Sequence, residues 1–277
     1  MGKISFVPVG GLANRFRAMA SGLTLAEKTG SQLDFYWFQD WALNAPFTAI
    51  FEPIQLKNVT LHTSSLKNNL IYNRPRRKNF WIPQLFQKIL FRHQLYEQDN
   101  YNMRFHDQFY TDCVNDGNVY ISSCYAIMNY EKKHLQALFR PVAEVRDKLD
   151  ERLKAMSEQF IGVHIRRTDN VESVNNSPTE LFYEKLDAEL TKNPQTSIYL
   201  ATDSEEVKSD FRQRYGTNVT FSQKAADRDS IDGIREAFVE MLILSHAQKI
   251  YGSYGSTFSI LAAEFGGTEL DILKKEK

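Results

Sequence analysis

The second half of the chain alternates short apolar runs with helix-length segments, and that alternation limits the fold more than any other feature. Phe160–Ile165, Ser197–Ala201, Val219–Phe221 and Lys249–Tyr251 have the length and composition of buried strands. Between and around them lie helical patterns. Val142, Val145, Leu149, Leu153 and Met156 share one helix face, and Pro178–Lys192 is a second helix. A third runs to Tyr215, capped by Asp203 or Ser204, with Glu205 and Glu206 favourable in its first turn. Ile231–Ser245 and Thr257–Phe265 are the last two, the latter closed by Gly266-Gly267. Strand–helix alternation of this kind predicts a parallel sheet covered on both faces.

The start of the chain repeats the pattern. Ile4–Val9 is a strand, Gly10-Gly11 a turn, Phe16 to Ala26 a helix face stopped by Gly30, and Gln32–Trp37 a second strand. Between Asp40 and Tyr130 aromatic residues and prolines interrupt every period, and only Val119–Ser122 is placed as a strand. A length of 277 residues suits two domains. The boundary is expected near Arg140-Pro141, giving 1–140 and 141–277 as two Rossmann-like α/β domains facing a cleft.

The 34 basic and 34 acidic side chains cancel. No global field draws the protein to nucleic acid, and any membrane contact would be peripheral. Cys113 and Cys124 have neither the number nor the spacing of a disulfide framework or a zinc site. With no basic, then apolar, leader in the sequence given and no run of about 20 apolar residues, a cytoplasmic location is expected.

Several strand-end loops carry groups suited to an anionic ligand. His164-Ile-Arg-Arg-Thr-Asp169 directly follows the Phe160–Ile165 strand. Ligands of open parallel sheets bind beyond the carboxyl ends of strands, and a guanidinium matches a phosphate in two hydrogen bonds without losing its charge. An Arg–Asp surface salt bridge accounts for the same residues equally well. Ser253-Tyr-Gly-Ser-Thr-Phe-Ser259 joins a strand to a helix whose first turn offers unpaired N–H groups and hydroxyls, although an ordinary serine cap is the plainer account. Gly10-Gly-Leu-Ala-Asn-Arg15 repeats the idea but has neither the P-loop nor the dinucleotide pattern. Thr202-Asp203 brings a carboxylate to the same edge or caps a helix. Asp227-Arg-Asp229 has an acid-x-acid form, yet lies among turn formers where chance explains it. The histidines show no metal-ligand spacing.

Read together and in order, these loops resemble the motifs of the α-1,2-, α-1,6- and O-fucosyltransferase superfamily, which includes the rhizobial chitin-oligosaccharide enzymes. Ile161-Gly-Val-His-Ile-Arg-Arg-Thr-Asp169 is similar to the first motif, Tyr199-Leu-Ala-Thr-Asp203 to the second, and Ser256-Thr-Phe-Ser259 with Ala262-Ala-Glu264 to the third. Gly10-Gly-Leu-Ala-Asn14 resembles the family's glycine-rich opening. The resemblance covers 1–37 and 158–266. It implies a GT-B fold, GDP-fucose as donor substrate, inversion at the anomeric carbon, and neither metal nor cofactor.

By the same resemblance Arg167 holds the β-phosphate, while Arg166 and His164 shape the pocket. Asp169 belongs to the same motif, Asp203 lies near the guanosine, and Ser256, Thr257 and Ser259 complete the phosphate site. Gly11 and Asn14 join the donor side from the first motif loop. The chain departs from the α-1,6 branch in having Asn170 where a lysine follows the aspartate, and Glu240 where a helix carries an aspartate.

Glu172 is the first candidate for the base, with Asp34 in reserve. The expected partners are a GDP-sugar and a glycan acceptor. Asn73-Arg-Pro-Arg-Arg-Lys78 with Phe80-Trp81 and Phe86–Phe91 would suit an acceptor carrying a lipid pyrophosphate at the membrane surface, although a solvated turn beside an apolar core segment is the plainer account. The resulting expectation is a bacterial-type fucosyltransferase. Its rivals are a transferase using another nucleotide sugar and a catalytically silent protein that keeps the pocket.

Overall fold

The structure is a computed structural model that describes residues 2–168, 170–224, 227 and 229–275. The chain divides into two compact units, Met1–Val142 with Arg228–Ile231, and Ala143–Asp227 with Asp232–Lys277. Each is built on one five-stranded, all-parallel sheet, which is the α/β class expected from the alternation.

In the first unit the strands are β1 (Lys3–Pro8), β2 (Gln32–Tyr36), β3 (Val59–His62), β4 (His93–Leu95) and β5 (Val119–Ser123). They lie in the order β3-β2-β1-β5-β4. The long helix Leu12–Thr29 returns the chain from β1 to β2 and ends where Gly30 takes a left-handed φ of 63°. An aromatic core packs beside it, with Phe16 stacked on Phe139 at 3.7 Å and Trp37, Phe47 and Phe51 fully buried around them. Cys113 and Cys124 are both free.

The segment that resisted a sequence reading holds short pieces. Its helices are Leu66–Ile71, Ile82–Leu90, Glu97–Met103 and Asp107–Asp116, besides strands β3 and β4. Four- and three-residue strands are too short to show a period. Buried amides tie them in instead. Asn100 Nδ2 donates to the carbonyls of Leu95 and Ser122 at 3.0 and 2.9 Å.

In the second unit β6 (Phe160–Ile165), β7 (Ser197–Thr202), β8 (Val219–Thr220), β9 (Lys249–Ser253) and β10 (Glu269–Leu273) lie in the order β10-β9-β6-β7-β8. Every residue of β6 is buried, as a central strand covered on both faces requires. β10 escaped the sequence reading because its edge position leaves charged residues alternating with apolar ones. Gly162 and Gly252 allow helices to sit tightly on the sheet. A Cβ on Gly252 would stand 2.6 Å from Ser259 Oγ, and one on Gly162 would stand 2.9 Å from Leu244 Cδ2.

Both sheets reverse direction beside their first strand. The chain winds from β1 to β3 on one side and returns at β5 on the other; likewise it winds from β6 to β8 and returns at β9. The crevice beyond the carboxyl ends of β6 and β9 is therefore a topological switch point, the place where open sheets bind ligands.

Candidate functional site

Three strand ends of the second unit meet at that point. Register pairs Ile165 with Thr202, and His164 with both Ala201 and Gly252. The residues after β6 thus lie between Asp203 and the Ser253–Ser256 turn.

Asp203 is the hub. Its carboxylate accepts the backbone N–H of Arg167 at 2.8 Å, the N–H of Thr168 at 3.3 Å and the Thr168 hydroxyl at 2.7 Å, and it pairs with Arg166 Nη1 at 3.1 Å. Burial pulls its pKa upward, but the Thr168 hydroxyl, the Arg166 charge and the two amides outweigh it, and the net shift is downward. Of the two candidate caps for the helix Glu205–Tyr215, it is Ser204 that accepts the Val207 N–H, which leaves Asp203 to hold the loop.

Arg167 turns the other way. Nη1 donates to the Arg166 carbonyl at 2.8 Å, and Nη2 donates to the Ser177 carbonyl at 3.0 Å and the Thr179 hydroxyl at 2.8 Å. Burial lowers its pKa, with Asp203 and Glu180 opposing. Asp169, expected to belong to this group, lies outside the described residues.

A second set of hydrogen bonds fastens the 170–179 segment to the β9 turn. Ser173 Oγ donates to the Tyr254 carbonyl at 2.6 Å, and Asn170 Nδ2 to the Gly255 carbonyl at 3.2 Å. Ser177 Oγ accepts the Tyr254 N–H at 2.8 Å and donates to Leu273 O at 2.5 Å. Sequence reasoning passed over Asn170, Ser173, Ser177 and Thr179 as positioning groups. The one visible signal was Asn170, three residues before Ser173 at the start of the helix Val171–Asn176, whose side chain accepts the Ser173 N–H at 3.0 Å.

The turn leads into the helix Thr257–Gly266, whose Ser256 cap makes no side-chain hydrogen bond to the first turn. Such an end presents N–H groups and the positive pole of the helix to an anion. Gly255 permits the turn with φ +69°. Ser256 is buried and Thr257 half-buried at the opening. Ser259 is fully buried, its hydroxyl against Gly252, so it supports the turn from beneath instead of facing the opening.

Glu172 is exposed in the first turn of Val171–Asn176. A Cβ on Gly255 would stand 3.6 Å from its Oε2, so the carboxylate is beside the same turn. Asp34 is neither solvent-facing nor at a strand end. It is buried in mid-strand, and Lys3 Nζ pairs with it at 2.6 Å.

In the first unit Gly11 and Asn14 are both half-buried at the end of β1, in the corresponding switch position of that sheet. Gly10 takes φ +89° and Asn14 lies over it. Arg15 is structural. Fully buried, it donates to the Gly10 carbonyl at 2.8 Å, the Phe38 carbonyl at 2.7 Å and Asp40 at 3.2 Å, and covers the Trp37 ring. Among the described residues no three His, Cys, Asp or Glu side chains group to hold a metal ion, and no helix is long and apolar enough to cross a membrane.

Residues 124–251 match the family described as α-(1,6)-fucosyltransferase N- and catalytic domains. No curated protein matches the chain by sequence. Among solved structures, NodZ α-1,6-fucosyltransferase co-crystallized with GDP superposes with a TM-score of 0.66 at 20% identity, over 95% of this chain and 92% of that one. Fucosyltransferase NodZ from Bradyrhizobium gives 0.61 at 19% identity, over 95% and 93%. FUT1 of Arabidopsis thaliana, as a variant in complex with GDP, gives 0.62 at 15% identity, over 100% of this chain and 71% of that one. Identities this low establish a shared fold.

His164 gives the site a measurable signature. It is buried against Phe258, ring centroids 4.9 Å apart, and its Nδ1 has no partner among the described residues. Burial first, and the Arg166 charge second, push its pKa from 6.5 down to about 3. The unfolded chain therefore binds the proton first as pH falls, so stability is full above 6.5 and drains away toward 3. At pH 5 the loss is about 2 kcal/mol. Denaturant midpoints between pH 7 and 5 should fall accordingly, and His164→Gln should flatten the slope; identical slopes in the two proteins would contradict the burial of a neutral imidazole. Residues 124–251 thus match the α-(1,6)-fucosyltransferase family model, and the chain shares its two-sheet GT-B fold with solved fucosyltransferases.

Proposed function

We propose that the protein transfers fucose from GDP-fucose to a hydroxyl of a glycan acceptor, with inversion and without a divalent metal. The observation that carries this reading is the pairing of Arg166 and Arg167 with an uncapped helix N-terminus at one switch point. Two of the related structures are described in complex with GDP, which supports a guanosine diphosphate donor. As the bond from the anomeric carbon to the diphosphate breaks, charge accumulates on the leaving phosphate. Fixed cations and oriented N–H groups placed in advance stabilise that charge without reorganising. In metal-using transferases a cation does this work.

On this reading Arg167 binds the β-phosphate, and Arg166 and Asp203 hold the loop that presents it. Losing one partner of a buried charge pair costs ~2–5 kcal/mol. Arg167→Ala should therefore lower kcat/KM for GDP-fucose roughly 30-fold to several thousand-fold. Lysine should rescue it only in part, because it lacks the planar fork. GDP-fucose turnover like that of the wild type in Arg167→Ala would reject the assignment. Preference for a UDP-sugar or GDP-mannose would move the protein to another donor, and GDP binding with no transfer or hydrolysis would make it a silent binding protein.

Metal independence has its own test. Turnover should survive EDTA, and Asp227→Ala should change it little. Activity lost to chelator and restored by manganese would instead make Asp227 and Asp229 metal ligands.

Inverting transfer needs a group to take the acceptor's proton as the new bond forms. Glu172 fits by exposure and by its place beside Gly255. Glu172→Gln should cut kcat by about 10²–10⁴ while GDP affinity holds. A kcat within a few-fold of wild type excludes Glu172 as the base, and a fall in GDP affinity as well would show that it only supports the arginine loop.

A further inference from the structure

The helix Ile82–Leu90 is built inside out. Pro83 and Gln87, four residues apart, face inward, whereas Ile82, Leu85 and Ile89, at i, i+3 and i+7, face solvent. Leu85 is 65% and Ile89 82% exposed. Gln87 fixes this orientation by donating from Nε2 to the carbonyls of Ile71 and Asn73, both at 3.0 Å. Beside it Leu66 of the helix Leu66–Ile71 is 93% exposed, and Phe80 is 80% exposed. Phe80 and Trp81 adopt left-handed φ of 51° and 55°, which bulky side chains avoid. They are held there by N–H bonds back to the carbonyls of Arg77 and Arg76 at 3.1 and 3.2 Å. The fold spends its polar groups on keeping an apolar face outside.

The charge around this face has one sign. Between Glu52 and Glu97 the chain carries Lys57, Lys67, Arg74, Arg76, Arg77, Lys78, Lys88 and Arg92 and no acidic residue, in a protein whose charges sum to zero. Arg74 pairs with Glu97 and Arg92 with Asp116. Lys67, Arg77, Lys78 and Lys88 are exposed, and no salt bridge joins them to a carboxylate among the described residues. A second copy seated on this face would set these cations against their own kind. An apolar helix face ringed by lysine and arginine matches the headgroup boundary of an anionic bilayer, where the apolar residues enter the interface and the basic ones meet lipid phosphates.

We propose that this face docks the protein onto the surface of an anionic lipid bilayer, lying on it without crossing it. The test is sedimentation of the full chain with vesicles of phosphatidylcholine alone or mixed with phosphatidylglycerol. Binding should require phosphatidylglycerol and weaken with added salt. The double variants Leu85→Gln with Ile89→Gln, and Lys78→Gln with Lys88→Gln, should each weaken it at least about tenfold, a charge near such a surface contributing about fivefold. Both should unfold thermally like the wild type, since these side chains face solvent. Absence of binding to the mixed vesicles would overturn the proposal, as would equal binding by either double variant. A dimer that Leu85→Gln with Ile89→Gln abolishes, in a protein that ignores vesicles, would also overturn it and make the face a contact between copies.

Discussion

The site depends on one half-buried carboxylate. Asp203 stands at the end of β7, and its desolvation is offset only because two backbone amides, the Thr168 hydroxyl and the Arg166 guanidinium all converge on it. Removing one partner from such an arrangement leaves a partly desolvated charge less well compensated. The same bonds fix the path of residues 166–168, so the direction of both arginines follows from where β7 ends. Ser177 completes the frame by linking the Arg167 guanidinium, the β9 turn and β10.

That frame gathers two guanidinium groups at the end of β6, Arg166 paired with Asp203 and Arg167 tied to Ser177 and Thr179. The Thr257–Gly266 helix directs its N-terminal pole to the same opening. His164 beneath stays neutral, because burial and the neighbouring Arg166 both disfavour its protonation. A site with fixed cations, oriented amides and a silent imidazole suits a ligand that arrives already anionic. Glu240, buried in the helix Ile231–Ser245, shows the converse. Burial and then Glu236 raise its pKa to about 8, whereas Arg152, with Ser222, holds Glu236 itself ionised.

Much of this is legible in the sequence. β6 declares itself by a short, largely apolar run, and a strand end followed by two arginines in a parallel sheet is an unusual place for charge. What stayed hidden depends on contacts distant in sequence. Ser177 and Thr179 meet Arg167 only after the 170–179 segment folds back onto the β9 turn, and no local period announces that. Ser259 looked like a phosphate ligand because it follows Ser256 and Thr257, but three positions into a helix its side chain turns down onto Gly252. Asp34, the reserve candidate for the base, is buried and paired with Lys3, which no local pattern announces. The apolar residues around Phe86–Phe91 suit a core segment, whereas the fold presents Leu85 and Ile89 of the Ile82–Leu90 helix to solvent.

The central claim is that Asp203 organises a cation site whose ligand is a diphosphate. Calorimetric titration of the wild type and Asp203→Asn with GDP and with guanosine tests it most directly. The account predicts that the wild type binds GDP far more tightly than guanosine, that raised salt narrows the difference, and that Asp203→Asn nearly abolishes it while guanosine binding changes little. Equal affinity of the wild type for GDP and guanosine, or an undiminished GDP preference in Asp203→Asn, would contradict it.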